Sequence, residues 1–175
     1  HGIDLHDQRS VAEAARRVDL RLEADRVFVG GVEVTHDIRT TAVTHETRFV
    51  AGNNAVRTHL VDLQRQLAAG RDIVTEGRDQ GTVAFPNADC KFFLTANPRQ
   101  RALRRQRDLA SRGEQMSLEE ILAQQTSRDR RDEGREVGAL KPAEDAVLVD
   151  TSDVELAEVV SQIEALVRRK LLSRA

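Results

Sequence analysis

Two short stretches of this 175-residue chain combine residue types that could do chemistry. Glu76-Gly-Arg-Asp-Gln-Gly-Thr82 combines two acids and a guanidinium with two glycines, which let backbone approach a ligand closely. It reads either as a polar knot that grips a ligand or as a turn in which Arg78 and Asp79 merely pair. The second stretch is Arg128-Asp-Arg-Arg-Asp-Glu-Gly-Arg135, where Arg128, Asp132 and Arg135 fall at i, i+4 and i+7 and Arg131 lies close to the same stripe. On one helix face such guanidinium groups can contact phosphate oxygens while the carboxylate holds sugar hydroxyls. The plainer alternative is a helix laced with i,i+4 ion pairs worth only about 0.3 to 0.5 kcal/mol each.

Arginine dominates the basic residues: Lys91, Lys141 and Lys170 are the only lysines among 27 Lys+Arg. Between Arg99 and Arg135 ten arginines stand against seven acids, which makes that region the candidate for handling anions, the alternative being a solvated helix face. The rest of the composition is that of an ordinary soluble domain. Hydrophobic residues make up 39%, charged residues 32% and the net charge is -2, which argues against both disorder and a general affinity for polyanions. With no Trp or Tyr, 3% aromatics and a pI near 6.3, the chain lacks the stacking surfaces and basic balance of an RNA-binding module. The lone Cys90 excludes an internal disulfide and a cysteine metal cage, and a cytoplasmic, reducing location fits best. The five histidines, His1, His6, His36, His45 and His59, have no tight ligand spacing, so no protein metal site is expected. No uncharged apolar run approaches the roughly 18 residues of a membrane span, and no signal-peptide pattern opens the chain.

The elements that must position these stretches follow from periodicity. Asp7 to Val18 has the apolar spacing of a short helix, and Leu20-Arg-Leu-Glu, Val27-Phe-Val and Val32-Glu-Val-Thr form a small antiparallel piece turned at Gly30-Gly31. Thr44 to Ala69 reads as one helix stopped by Gly70. Beyond it, Ile73-Val-Thr, Lys91-Phe-Phe-Leu-Thr-Ala and Ala146-Val-Leu-Val-Asp are nearly continuous apolar runs, as in strands buried on both faces. They alternate with helices at 99–112, 117–131 and 153–171, the last two opened by capping boxes Ser117-Leu-Glu-Glu120 and Ser152-Asp-Val-Glu155. This alternation predicts an α/β fold with a parallel sheet and crossover helices, and Glu76 to Asp79 then stands at a strand's carboxyl end, where ligands gather.

Five stretches in this order, Glu76-Gly-Arg-Asp-Gln-Gly-Thr-Val-Ala-Phe-Pro86, Lys91-Phe-Phe-Leu-Thr-Ala96, Arg101-Ala-Leu-Arg-Arg105, Arg128-Asp-Arg-Arg-Asp132 and Leu140-Lys-Pro-Ala-Glu-Asp-Ala146, resemble the bacterial cytidylate kinases. The resemblance runs from about Gly2 to Leu171 and is strongest from Ile38 onward. It implies a P-loop nucleoside monophosphate kinase that moves the γ-phosphoryl group of MgATP to CMP or dCMP, with ATP and Mg²⁺ as its cofactors, acting as a monomer without nucleic acid or membrane partners. It further implies a core of residues 1–19 and 61–175, a nucleotide-monophosphate insert at 20–60 and an arginine-rich lid at 99–135. Carried over residue by residue, it gives Asp79, Arg57 and Arg135 to the base pocket, Arg128 and Asp132 to the pentose hydroxyl and Arg78 to the substrate phosphate. Arg104, Arg105 and Arg131 would neutralise the phosphoryl group in flight. Cytosine suits such a pocket, because it offers an amino donor at N4 beside acceptors at N3 and O2.

Two departures qualify the resemblance. The residues before the three lysines are Cys90, Leu140 and Arg169, so no G-x-x-x-x-G-K-[ST] phosphate loop is present. With His1 in place of a start methionine, the expectation is that this loop and its strand lie upstream and that these residues alone transfer phosphate poorly; the alternative is a remnant that binds a nucleotide or partner without chemistry. Arg48 stands where the family often has a small hydroxyl residue near the base, so it either alters pyrimidine choice or points to solvent.

Overall fold

The computed structural model describes residues 2–173, apart from the side chains of Thr41, His45 and Arg48. The expectation for Arg48 therefore lies outside the described side chains, as do His1 and the side chain of His45 among the histidines. The chain divides into two compact units, one ending at Ile73 and the other beginning at Val74.

The first unit opens with α1 (Gln8–Arg17), capped by the Asp7 carboxylate, which accepts from the backbone N–H groups of Arg9 and Ser10. Next come β1 (Leu20–Glu23), β2 (Arg26–Val29) and β3 (Val32–Glu33), an antiparallel meander in register Leu20↔Val29, Leu22↔Val27 and Val29↔Val32. Gly30 and Gly31 turn the second hairpin at φ 57° and 81°, the left-handed values that glycine adopts without strain.

The helix expected over 44–69 is two helices, α2 (Thr41–Ala51) and α3 (Asn54–Ala68), broken at Gly52-Asn53. The break has a cause in Asn53, which is buried. Its Oδ1 accepts from Ala55 N and Val56 N to cap α3, while its Nδ2 donates to Gln8 O at 2.7 Å on the opening turn of α1. The core beside this tie is Val11, Ala12 and Val56, flanked by Leu5, Ala15 and Val50.

The second unit contains β4 (Phe92–Thr95), α4 (Pro98–Ser111), α5 (Leu118–Glu133), β5 (Val147–Asp150) and α6 (Leu156–Leu172). β4 and β5 are parallel, with Phe92↔Val147 through Thr95↔Asp150 in register, so the expected crossover arrangement is present. α4 and α5 pack through Ala102, Leu109 and Ile121, with Met116, Leu118 and Leu122 around them. Asn97 caps α4 ahead of Pro98, and Ser117 with Glu120 forms the expected capping box on α5.

Three further local expectations fail, the first being burial of the strands on both faces, since Leu94, Val147 and Leu148 are exposed. Ile73-Val-Thr forms no ladder, and Val74 is fully exposed: the hydrogen bonds of β4 go to β5, and no described strand runs beside residues 73–75. The second capping box does not form either. Ser152 Oγ donates to Asp150 Oδ1 and accepts from Asn97 N, and α6 starts only after Glu155, whose side chain makes no capping bond. Among the described residues no helix is long and apolar enough to cross a membrane.

Candidate functional site

The 76–86 stretch enters the second unit as irregular backbone and then makes a single π-helical turn, Gln80–Ala84. Asp79 precedes that turn, and its carbonyl accepts from Val83 N at 2.9 Å and Ala84 N at 3.2 Å. Such turns are rare and recur at functional sites. The Gln80 side chain folds back over Gly77, where an added Cβ would stand 2.8 Å from Gln80 Cγ; glycine at 77 is what allows this approach.

The Arg78 side chain points at the last turn of α5. It donates to Asp132 Oδ2, and its Nη1 lies 3.8 Å from Asp129 Oδ1. Asp132 is the hub of the site. Its side chain is 3% exposed, Arg135 Nη2 pairs with its other oxygen, and Arg128 Nε stands 4.0 Å from Oδ2. Burial pushes the Arg78 guanidinium below its ordinary value, and the charge of Arg128 adds to this, while Asp129 opposes it. A buried carboxylate shared by several guanidinium groups is held in place by charge-assisted hydrogen bonds that also fix the aim of each arginine.

Neither simple expectation for these residues survives intact. Arg78 pairs with Asp132 and approaches Asp129 across 54 and 51 positions of sequence. Arg135 is not on the helix face with Arg128 and Asp132, because α5 ends at Glu133 and Gly134 occupies its C-cap. Arg135 reaches Asp132 by folding back from beyond the helix, where Leu140 N also donates to Asp132 O at 2.9 Å.

Sequence reasoning missed Asp129 and the part played by Arg101. Asp129 Oδ2 accepts from Arg101 Nη1 at 2.7 Å, which ties α5 to α4 beside Arg78. The available signal was the i, i+3 spacing of Asp129 and Asp132, which places both on one helix face. Together Arg78, Arg101, Arg128 and Arg135 face Asp129 and Asp132, leaving two positive charges in excess, a match for a phosphate monoester dianion.

The other expected arginines of the second unit bond elsewhere or face solvent. Arg104 on α4 bonds Thr151 through Oγ1 at 3.0 Å and through its carbonyl, at the carboxyl end of the strands, where Thr151 Oγ1 also donates to Thr95 O. Arg105 is exposed on α4, and Arg131 is exposed on α5 with its Nε donating to Ser127 O. Arg57 lies half-buried on α3 of the first unit. No group of three potential metal ligands occurs among the described residues.

Residues 1–169 match the family model described as cytidylate kinase. Relatives include a cytidylate kinase of Rhodopirellula baltica, 46% identical over 167 residues that cover 95% of this chain and 73% of that protein. A Geobacter cytidylate kinase is 41% identical over 97% of this chain and 75% of its own length, and one from Mycobacterium leprae is 42% identical over 97% and 76%.

Proposed function

Since the chain belongs to the cytidylate kinase family, we propose that its second unit carries the acceptor-phosphate and pentose subsites of a kinase that phosphorylates CMP or dCMP to CDP or dCDP. The observation that carries this reading is the Asp132 hub, which holds guanidinium groups together with a net positive excess beside the Asp79 turn. In it, Arg78 grips the substrate phosphate as a fork-shaped donor, and Asp132 with Arg128 receives the pentose hydroxyl. Asp79 accepts from the cytosine N4 amino group, and Arg135 donates to its ring acceptors. In the hub Asp132 is already engaged by Arg78 and Arg135, so a sugar hydroxyl enters by displacing one of them.

The donor in this reading is MgATP. The residues present do not fit a P-loop cradle for its phosphates, because none of Lys91, Lys141 and Lys170 follows a glycine, so residues 1–175 alone are expected to transfer phosphate poorly. Arg105 and Arg131, both exposed, neutralise charge on the transferred group, and Arg104 joins them by leaving Thr151. The domain reading carries over as well: residues 20–60 serve as the nucleotide-monophosphate insert, and 99–135 as the lid.

The test is a calorimetric titration of the chain with CMP, dCMP, UMP and AMP, repeated for Asp79→Ala. The reading expects CMP and dCMP to bind in preference to UMP and AMP, and the substitution to remove that preference. Absence of CMP binding, or equal binding of all four, contradicts it.

A further inference from the structure

Lys91 sits behind the turn that carries Asp79, and its side chain is only 8% exposed. Its Nζ donates to Asp145 Oδ1 at 2.8 Å and to the Pro86 carbonyl, which closes the far end of the 76–86 stretch. Its aliphatic stem lies against Gly81 inside the π-helical turn, where an added Cβ would come 3.3 Å from Lys91 Cδ and 3.8 Å from Ala143 Cβ. Its backbone carbonyl accepts from Val147 N at 2.9 Å, beside the first rung of the β4–β5 ladder. One side chain thus joins the end of the Asp79 loop, the middle of its turn and the Lys141–Ala146 connection to the edge of the sheet. The Lys91 hydrogen bond also keeps the Asp145 carboxyl below its ordinary range.

We propose that Lys91 is a positioning residue for pyrimidine selectivity, clamping the Gln80–Ala84 turn so that the Asp79 carboxylate stands at one fixed place. This rests on the reading of Asp79 as the acceptor for the cytosine amino group. Such a bond needs about 2.7 to 3.2 Å between heavy atoms, so a turn free to shift by an ångström loses it. Uracil presents a carbonyl at that position and gains nothing from the fixed carboxylate, so slack in the turn lowers affinity for CMP and leaves that for UMP unchanged.

The experiment is titration of the full chain with CMP and UMP for the wild type, Lys91→Met, Lys91→Arg and Asp145→Asn, with melting temperature measured for each. Lys91→Met keeps a stem over Gly81 and removes the charged head. It is expected to lower CMP affinity about tenfold, the scale of a lost charge-assisted hydrogen bond, without changing UMP affinity. Lys91→Arg is expected to restore much of the CMP preference. Asp145→Asn alters an exposed partner only, and is expected to fall between wild type and Lys91→Met. Equal losses for CMP and UMP, or an unchanged CMP-to-UMP ratio in both Lys91→Met and Asp145→Asn, overturn the proposal while leaving the acceptor-site reading in place. A wild type without any preference for CMP overturns that reading itself, and the role of Lys91 with it.

Discussion

Helices α5 and α6 carry the same kind of ion pair, an acid and an arginine four residues apart, in opposite surroundings. On α6, Arg168 and Glu164 pair at 2.6 Å with side chains 73% and 56% exposed, so water screens the attraction and both side chains lose freedom to hold it. On α5, Arg128 and Asp132 lie farther apart, yet Asp132 is buried and also takes Arg78 and Arg135. Shared spacing therefore says little about energy or function. What separates the two is the number of partners brought from elsewhere in the chain and the water removed around them.

The largest effect that tests this contrast is Asp132→Ala, which leaves Arg78 and Arg135 without their shared carboxylate in a half-buried setting. It is expected to lower stability by about 3 kcal/mol in urea unfolding, at the low end for a broken buried pair because both arginines keep some contact with water. A loss below that of an ordinary surface substitution breaks the comparison. Next, Ser117→Ala removes the hydroxyl that caps α5 and is expected to cost about 1 kcal/mol in the same measurement.

That cap also makes the start of α5 sensitive to pH. The Ser117 hydroxyl, and then its backbone N–H, hold the Glu120 carboxyl below its ordinary range. A depressed carboxylate stabilises the fold above its unfolded-state value, and that contribution disappears as pH falls through the folded value. Protection of the amides at Glu119 to Ile121, taken as the intrinsic exchange rate at each pH over the observed one, should therefore fall on acidification, and Ser117→Ala should remove most of that dependence. The smallest effect is Glu164→Gln on α6, expected to change stability by no more than about 0.5 kcal/mol.

Local signals made much of the fold legible. The period of Val11, Ala14, Ala15 and Val18, the glycine pair at 30–31 and the Ser117–Glu120 box each report a short-range preference, and α1, the meander and α5 followed. The failures come from residues whose partners are distant. Asn53 looked like one polar position in a long helix, and its bond to Gln8 O, 45 residues away, makes it a boundary. Ser152 fits a capping pattern, but Asp150 and Asn97 occupy its hydroxyl. The site divides in the same way. Arg78, Arg128, Asp132 and Arg135 were legible as candidates by type and spacing, whereas the capture of Arg78 by α5 and the role of Asp129 depend on a contact across more than 50 residues. Gly134 marked the end of α5, and reading the i, i+7 face past it misplaced Arg135.

The most direct test of the Asp132 hub is a calorimetric CMP titration of Asp132→Asn beside Glu164→Gln, two substitutions that each remove one carboxylate charge from an arginine-paired helix. The account predicts that Asp132→Asn weakens CMP binding by about a hundredfold, as expected when charge-assisted bonds to a ligand are lost, and that Glu164→Gln leaves it unchanged. CMP affinity that is the same in both variants as in the wild type would contradict the account.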